Sequence, residues 1–163
     1  MPTKSRPRTS AGILLFRRHG AALEVFLVHP GGPFWTKKDA GAWSIPKGEF
    51  EPDENPLAAA KREFAEEIGM ALDTVAAPGA EPRALTPITQ KNRKVVHAWA
   101  VEGDLDPASI KSDEFELEWP PKSGKRITIP EVDRGAWFAL DEAVKKINPA
   151  QAALVKEFQN LKE

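Results

Sequence analysis

Cysteine is absent from the 163 residues, and so is tyrosine. Without cysteine there is no disulfide framework, no thiolate-held zinc or iron–sulfur cluster and no thiol nucleophile. The lack also fits a reducing compartment, so a cytoplasmic protein is expected. Long hydrophobic runs are missing too. None approaches the ~20 apolar residues of a membrane span, and no membrane partner is expected. Residues 1–8 carry Lys4, Arg6 and Arg8 with no apolar stretch behind them. They read as a flexible basic arm, not a secretory signal. A large excess of one charge is also missing: the formal net charge is -1. That argues against a general nucleic-acid coat, and no stable nucleic-acid partner is expected.

What remains is an ordinary globular chain. Apolar residues make up 41% and charged residues 29%, which argues against disorder throughout. The length predicts one domain, over residues 9–163.

Ser10 to Phe16 and Ala22 to Val28 are two apolar runs around Gly20, the pattern of an antiparallel hairpin. Residues 30–42, with four glycines and prolines in the first four positions, form a loop. Trp43 to Ile45 reads as a short strand closed by Pro46. A helix follows. Asn55 suits its cap, Pro56 its first turn and Gly69 its stop, and Leu57, Ala60, Phe64 and Ile68 form one apolar stripe. Residues 72–87 show little pattern. Lys94 to Val101 is the clearest later strand, and 103–113 is loop. Phe115 to Trp119 alternates until Pro120 and Pro121 end it. Arg134 to Phe138 reads as the last strand, and Asp141 to Ile147 and Pro149 to Leu161 as closing helices. Strands, helix, strands, helices is an α+β order.

Charge is unevenly placed. Between Gly48 and Gly69 seven acids face only Lys61 and Arg62, so this segment is net -5 while the rest of the chain is +4. Glu63, Glu66 and Glu67 are spaced i, i+3 and i+4, within an arc of ~100° on a helix. Three like charges on one face repel. Such a face is either fully solvated or holds a cation. If it holds one, oxygen ligands alone favour a hard ion, Mg2+ or Mn2+.

The spacing carries more. Gly48, Glu54, Arg62-Glu63, Glu66-Glu67 and Gly69 stand as Gly-x5-Glu-x7-Arg-Glu-x2-Glu-Glu-x-Gly. This resembles the Nudix box at all seven fixed positions, a match expected by chance on the order of once in a million such chains. Phe64 and Met70 fill its bulky apolar positions. The lead-in Trp43 to Gly48 and the segment Pro130 to Ala143 also resemble the family, so the likeness covers the chain from about Ser10 to the final helices.

The resemblance implies a mixed sheet between helices (α/β/α), with the box as loop–helix–loop. It implies that Glu63, Glu66 and Glu67, with the carbonyl of Gly48, hold Mg2+ or Mn2+. It implies that Arg62 pairs with Glu54 and orients Glu63. The reaction it implies is hydrolysis of a nucleoside diphosphate linked to another moiety. The Ser10-Ala-Gly start and the Trp43 to Gly48 segment favour nucleoside polyphosphates as small-molecule substrates: nucleoside triphosphates, damaged ones included, or dinucleoside polyphosphates. A tyrosine that marks one dinucleoside branch is absent, and a proline associated with ADP-ribose is met only loosely by Pro87. ADP-ribose and nucleotide-sugar pyrophosphatases are the alternative. A regulator that binds nucleotide without cleaving it usually loses box glutamates, and all are present here. The isoprenoid isomerase of the same fold uses a cysteine.

Outside the box, Lys47 is a candidate for substrate phosphate, and Lys91, Arg93 and Lys94 for guiding a polyphosphate. Each reads equally as a solvated cation. Families of this fold often place a further acid outside the box. Glu114, Glu116 and Glu118 share one face of a strand, and Glu116 is the choice among them as a base, against a simple wet face. Trp35 is a candidate for stacking on a nucleobase. Trp43 reads as core, and His29 and His97 as structural.

Overall fold

A computed structural model describes residues 9–162, apart from the side chain of Lys162. The basic arm expected over residues 1–8 lies outside the described residues. β1 (Thr9–His19) is the spine of the sheet. It runs parallel to β6 (Val95–Glu102) along one edge. Along the other edge it pairs antiparallel first with β3 (Lys47–Glu49) at Ser10 to Gly12, then with β2 (Ala22–Pro30) at Phe16 to His19. β9 (Val132–Ala139) continues the sheet beyond β2, and two short strands, β4 (Arg83–Ala84) and β5 (Ile88–Thr89), pair with the outer edge of β6.

Both faces of β1 are covered, which is why its sequence is a continuous apolar run. Ala11, Ile13 and Leu15 face one core with Phe26, Phe64 and Ile68. Leu14 and Phe16 face a second with Leu27, Leu154 and Phe158. The first core lies under α1 (Pro56–Ile68), followed by the short α2 (Leu72–Val75). The second is covered by α3 (Leu140–Lys146) and α4 (Ala152–Lys162). The chain is therefore an α+β sandwich of helix, mixed sheet and helix.

α1 has the predicted ends. The Asn55 side chain accepts from the Ala58 N–H at 3.0 Å, Pro56 opens the first turn and Gly69 closes it at φ 80°. Its buried face is Ala59, Ala60, Phe64 and Ile68, while Leu57 is only half-buried. Phe64 is fully buried, so Phe64→Ala would cost about 3–5 kcal/mol.

The structure differs from the sequence reading at several strands, the short β4 and β5 among them. Trp43 to Ile45 is not a strand of the sheet. Ser44 bridges Val28, Trp43 bridges Ile147, and the strand begins only at Lys47. Pro46 lacks an N–H but its carbonyl accepts from Ile13 at 3.1 Å, so pairing with β1 starts there. Arg126 to Pro130, which the sequence reading does not assign, forms β8 (Arg126–Pro130) and pairs with β7 (Glu114–Glu118) in a separate two-stranded ribbon. This hairpin stands out from the main sheet and carries Phe115, Leu117, Ile127 and Ile129 on one face of the ribbon.

Candidate active site

Gly48 sits in β3 opposite Ala11 and beneath α1. A side chain at this position would fall inside the carboxylate of Glu63, with Oε1 only 2.7 Å from its Cβ. Glycine here is what lets the helix carboxylate lie against the strand backbone. Glu63 is 8% exposed, an unusual burial for a glutamate. Burial raises its pKa, Glu66 and Glu131 raise it further, and Arg62 opposes them.

Arg62 binds three acids at once. Nε and Nη2 form a fork on Glu54 at 2.9 and 3.0 Å. Nη1 donates to Glu63 at 2.8 Å and to Glu66 at 3.2 Å. The planar guanidinium suits such a bidentate grip. Its pKa is raised, first by Glu54, and the Glu54 carboxyl is lowered by the same pair.

Glu67 turns the other way, toward β3, and accepts from the Lys47 N–H at 3.3 Å. Burial, then Glu131, push its carboxyl up to about 8. Burial also lowers the pKa of the Lys47 ammonium, and Lys94 lowers it further. Lys94 itself pairs with Glu49 at 3.1 Å.

Glu131 is an acid beside this site that the sequence reading does not single out. It lies between β8 and β9, where the β2–β9 register shifts between His29 and Pro30. Its N–H donates to the Asp113 carbonyl at 2.8 Å, and the Asp113 N–H donates to the Glu66 carbonyl at 3.0 Å. The Lys111 N–H donates to the Ile68 carbonyl at 2.7 Å. The end of α1 thus anchors the 111–113 segment, and that segment anchors Glu131. Gly69 permits the approach, since a Cβ there would meet the Lys111 backbone. Burial raises the Glu131 pKa, as do Asp113 and Glu66. The available signal was an acid interrupting the apolar text just before the last strand.

Glu116 stands elsewhere, on the exposed β7–β8 hairpin with Glu114 and Glu118, and faces Arg126 at 3.5 Å. Trp35 is 37% exposed, with the Lys38 ammonium 5.0 Å from its ring centre. Lys91 and Arg93 are exposed on the β5–β6 turn. Trp43 is core, and His29 is fully buried between the Asp133 carboxylate, at 3.0 Å, and the Lys38 carbonyl, at 2.6 Å.

Among the described residues no group of three carboxylates or imidazoles stands ready-gathered round one point to hold a metal. Arg62 Nη1 holds both Glu63 and Glu66, the Glu63 carboxylate lies against Gly48, and Glu67 accepts from the Lys47 N–H. The chemistry still fits a hard divalent ion. The donors are carboxylate oxygens beside the backbone of β3, and Glu63, Glu67 and Glu131 raise one another's pKa or are raised by burial. A cation would relieve that strain.

A family model described as NUDIX domain matches residues 6–158. The chain belongs to the Nudix family. It is a hydrolase of pyrophosphate bonds, with divalent metal ions the general requirement of Nudix hydrolases. Solved structures share its fold at low identity. A C. elegans Ap4A hydrolase, in a binary complex, is 21% identical, covers 94% of this chain and 96% of its own, and gives a TM-score of 0.62. The NUDIX domain of Shewanella oneidensis NrtR, complexed with ADP ribose, is 15% identical over 98% of this chain and 91% of that one, with a TM-score of 0.64. The E. coli ORF135 protein is 18% identical over 96% and 92%, with a TM-score of 0.56. Among the described residues no helix of this Nudix chain is long and apolar enough to cross a membrane.

Proposed function

We propose that this Nudix protein hydrolyses nucleoside polyphosphates with Mg2+, and that Glu63 and Glu67, assisted by Glu66 and the Gly48 carbonyl, hold the metal. The observation that carries this is the seating of the Glu63 carboxylate against Gly48 while Arg62 grips it from behind. A divalent ion held there would supply the charge that neutralises phosphate oxygens and makes a water more acidic, which would reconcile an acidic site with an acidic substrate. Arg62 does not meet substrate. Its fork on Glu54 fixes the guanidinium, and the fixed guanidinium orients Glu63. Water adds its oxygen to phosphorus, the bond to the leaving phosphate or nucleotide breaks, and the water proton passes to a carboxylate. Glu131 is the acid outside the box best placed for that proton, in preference to Glu116, because it shares the electrostatic field of Glu63 and Glu67. Lys47, beside Glu67, is suited to a substrate phosphate, and Trp35 to a nucleobase.

The substrate is a small-molecule nucleotide, and a chain without cysteine suits a cytoplasmic setting. A hydrolysis panel tests the reading. It spans nucleoside triphosphates, dinucleoside polyphosphates, ADP-ribose and nucleotide sugars, with and without Mg2+, and identifies the products. Cleavage of ADP-ribose or a nucleotide sugar alone would move the substrate class. Nucleotide binding with no product would make the protein a regulator.

A further inference from the structure

His29 is fully buried, and both of its ring nitrogens face acceptors. Nδ1 lies 3.0 and 3.2 Å from the two carboxylate oxygens of Asp133, and Nε2 lies 2.6 Å from the Lys38 carbonyl. A carboxylate and a carbonyl have no proton to give, so both bonds are made only when both nitrogens donate. The charges around the ring are themselves paired. Arg134 lies 3.5 Å from Asp133 and covers the Trp43 ring at 5.1 Å. Asp39 accepts from Trp43 Nε1 at 2.8 Å and pairs with Lys146, and the Trp43 ring meets His29 edge to face at 5.2 Å. His29 thus ties three segments together: its own strand β2, the loop at Lys38 and β9 at Asp133.

Asp133 is also where the ladder breaks. His29 pairs with Arg134 and Pro30 pairs with Val132, which leaves Asp133 unmatched on β2. It is the extra residue of a β-bulge, and the bond to His29 pins it there. Glu131 stands two residues before it, in the field of Glu63, Glu66 and Glu67. If Asp133 entered the ladder, Glu131 would move ~3.3 Å along the strand and its side chain would turn to the other face. Two backbone bonds depend on the present register. The Gly31 N–H donates to the Glu131 carbonyl at 3.0 Å, and the Glu131 N–H donates to the Asp113 carbonyl at 2.8 Å. Gly31 permits the first, since a Cβ there would fall on the Pro130 carbonyl.

Resting on the reading of Glu131 as the proton acceptor, we propose that His29 and Asp133 are positioning residues, whose hydrogen bond pins the bulge and so turns Glu131 toward the box glutamates. Both act through the backbone of residues 131–133 and neither meets substrate. A histidine far from the box in the chain then sets the geometry of the proton transfer.

Asp133→Ala removes the bond at a partly exposed position and should fold, which circular dichroism checks. Asp133→Ser, too short to reach the ring, takes its place if alanine does not fold. On the best substrate of the hydrolysis panel kcat should fall about tenfold or more, since misplacing a reacting group by about an ångström costs up to ~10²-fold, and KM should hold. Asp133→Asn should bring kcat back to within about threefold, because an amide can accept from an Nδ1–H or donate to a bare Nδ1. In a Glu131→Gln background, Asp133→Ala should cost nothing further. An unchanged kcat in Asp133→Ala, no recovery in Asp133→Asn, or losses that multiply in the double variant would overturn the proposal. If the wild type cleaves nothing, or Glu131→Gln turns over like the wild type, the reading of Glu131 fails by itself. The inference is then read by amide hydrogen exchange. The Gly31 and Glu131 N–H groups should exchange about tenfold faster or more in Asp133→Ala, with Leu14 in β1 unchanged, and equal exchange at all three sinks it.

Discussion

Gly48 and Glu63 occupy one another's space: the strand residue has no side chain because the helix carboxylate lies where that side chain would be. Gly48→Ala tests the relationship directly. The backbone at this position is not left-handed, so alanine introduces no conformational strain and should fold. Its methyl group displaces the Glu63 carboxylate. Turnover should fall by ~10²-fold or more, the scale of a lost catalytic group, while the melting temperature without metal stays near the wild type. Normal kcat in a folded variant would separate the strand from the site.

Glu63→Gln keeps shape and helix propensity but removes the charge. Turnover should fall by ~10²–10⁴-fold, or further if a metal is lost. Nucleotide binding and folding should persist, which calorimetry and circular dichroism can check. A near wild-type rate on the best substrate would place the chemistry elsewhere.

Arg62 acts through Glu63, so Arg62→Ala should lower kcat and leave KM nearly unchanged. Arg62→Lys should not restore it, because one ammonium cannot make the fork on Glu54 and also reach Glu63. A change confined to KM would instead mean that Arg62 touches substrate.

Glu131→Gln and Glu116→Gln form a matched pair. The first removes a carboxylate that couples to Glu63 and Glu67, and turnover should drop by at least ~10²-fold. The second removes a charge from an exposed hairpin and should leave the rate within about twofold. The reverse ranking would return the outside acid to β7.

Glu67 gives the stability a pH dependence. Its carboxyl titrates at about 8 in the fold against an ordinary 4.5, so the folded chain holds this proton more tightly than the unfolded chain does. In chelator, its contribution is complete below the ordinary value and is lost as pH rises toward 8. Burial raises Glu63 and Glu131 in the same direction. The melting temperature in chelator should therefore fall between pH 5 and 8, and Glu67→Gln should flatten that fall. Added Mg2+ competes with the proton, so its stabilisation should grow over the same range. A flat profile for the wild type would show that Glu67 is ionised without penalty.

Sequence alone determined whatever is local. Asn55, Pro56 and Gly69 set the ends of α1 because caps and turns act through neighbouring backbone groups. The box could be read because its carboxylates follow the helical repeat and its glycine stands a fixed distance ahead. The two apolar runs around Gly20 implied an antiparallel hairpin, and the pairing of β1 with β2 bears this out.

Tertiary structure decided what depends on distant segments meeting. His29 and Asp133 are 104 residues apart and share a hydrogen bond. Glu131 reaches the box glutamates only because the 111–113 segment docks on the end of α1, a contact no periodicity encodes. Alternation instead drew attention to Glu116, since period two reveals a shared strand face but not which way that face looks. The β7–β8 hairpin was half-hidden for a related reason. It packs against a loop and not the main core, and β8 alternates over only five residues, too few to mark a strand without its partner.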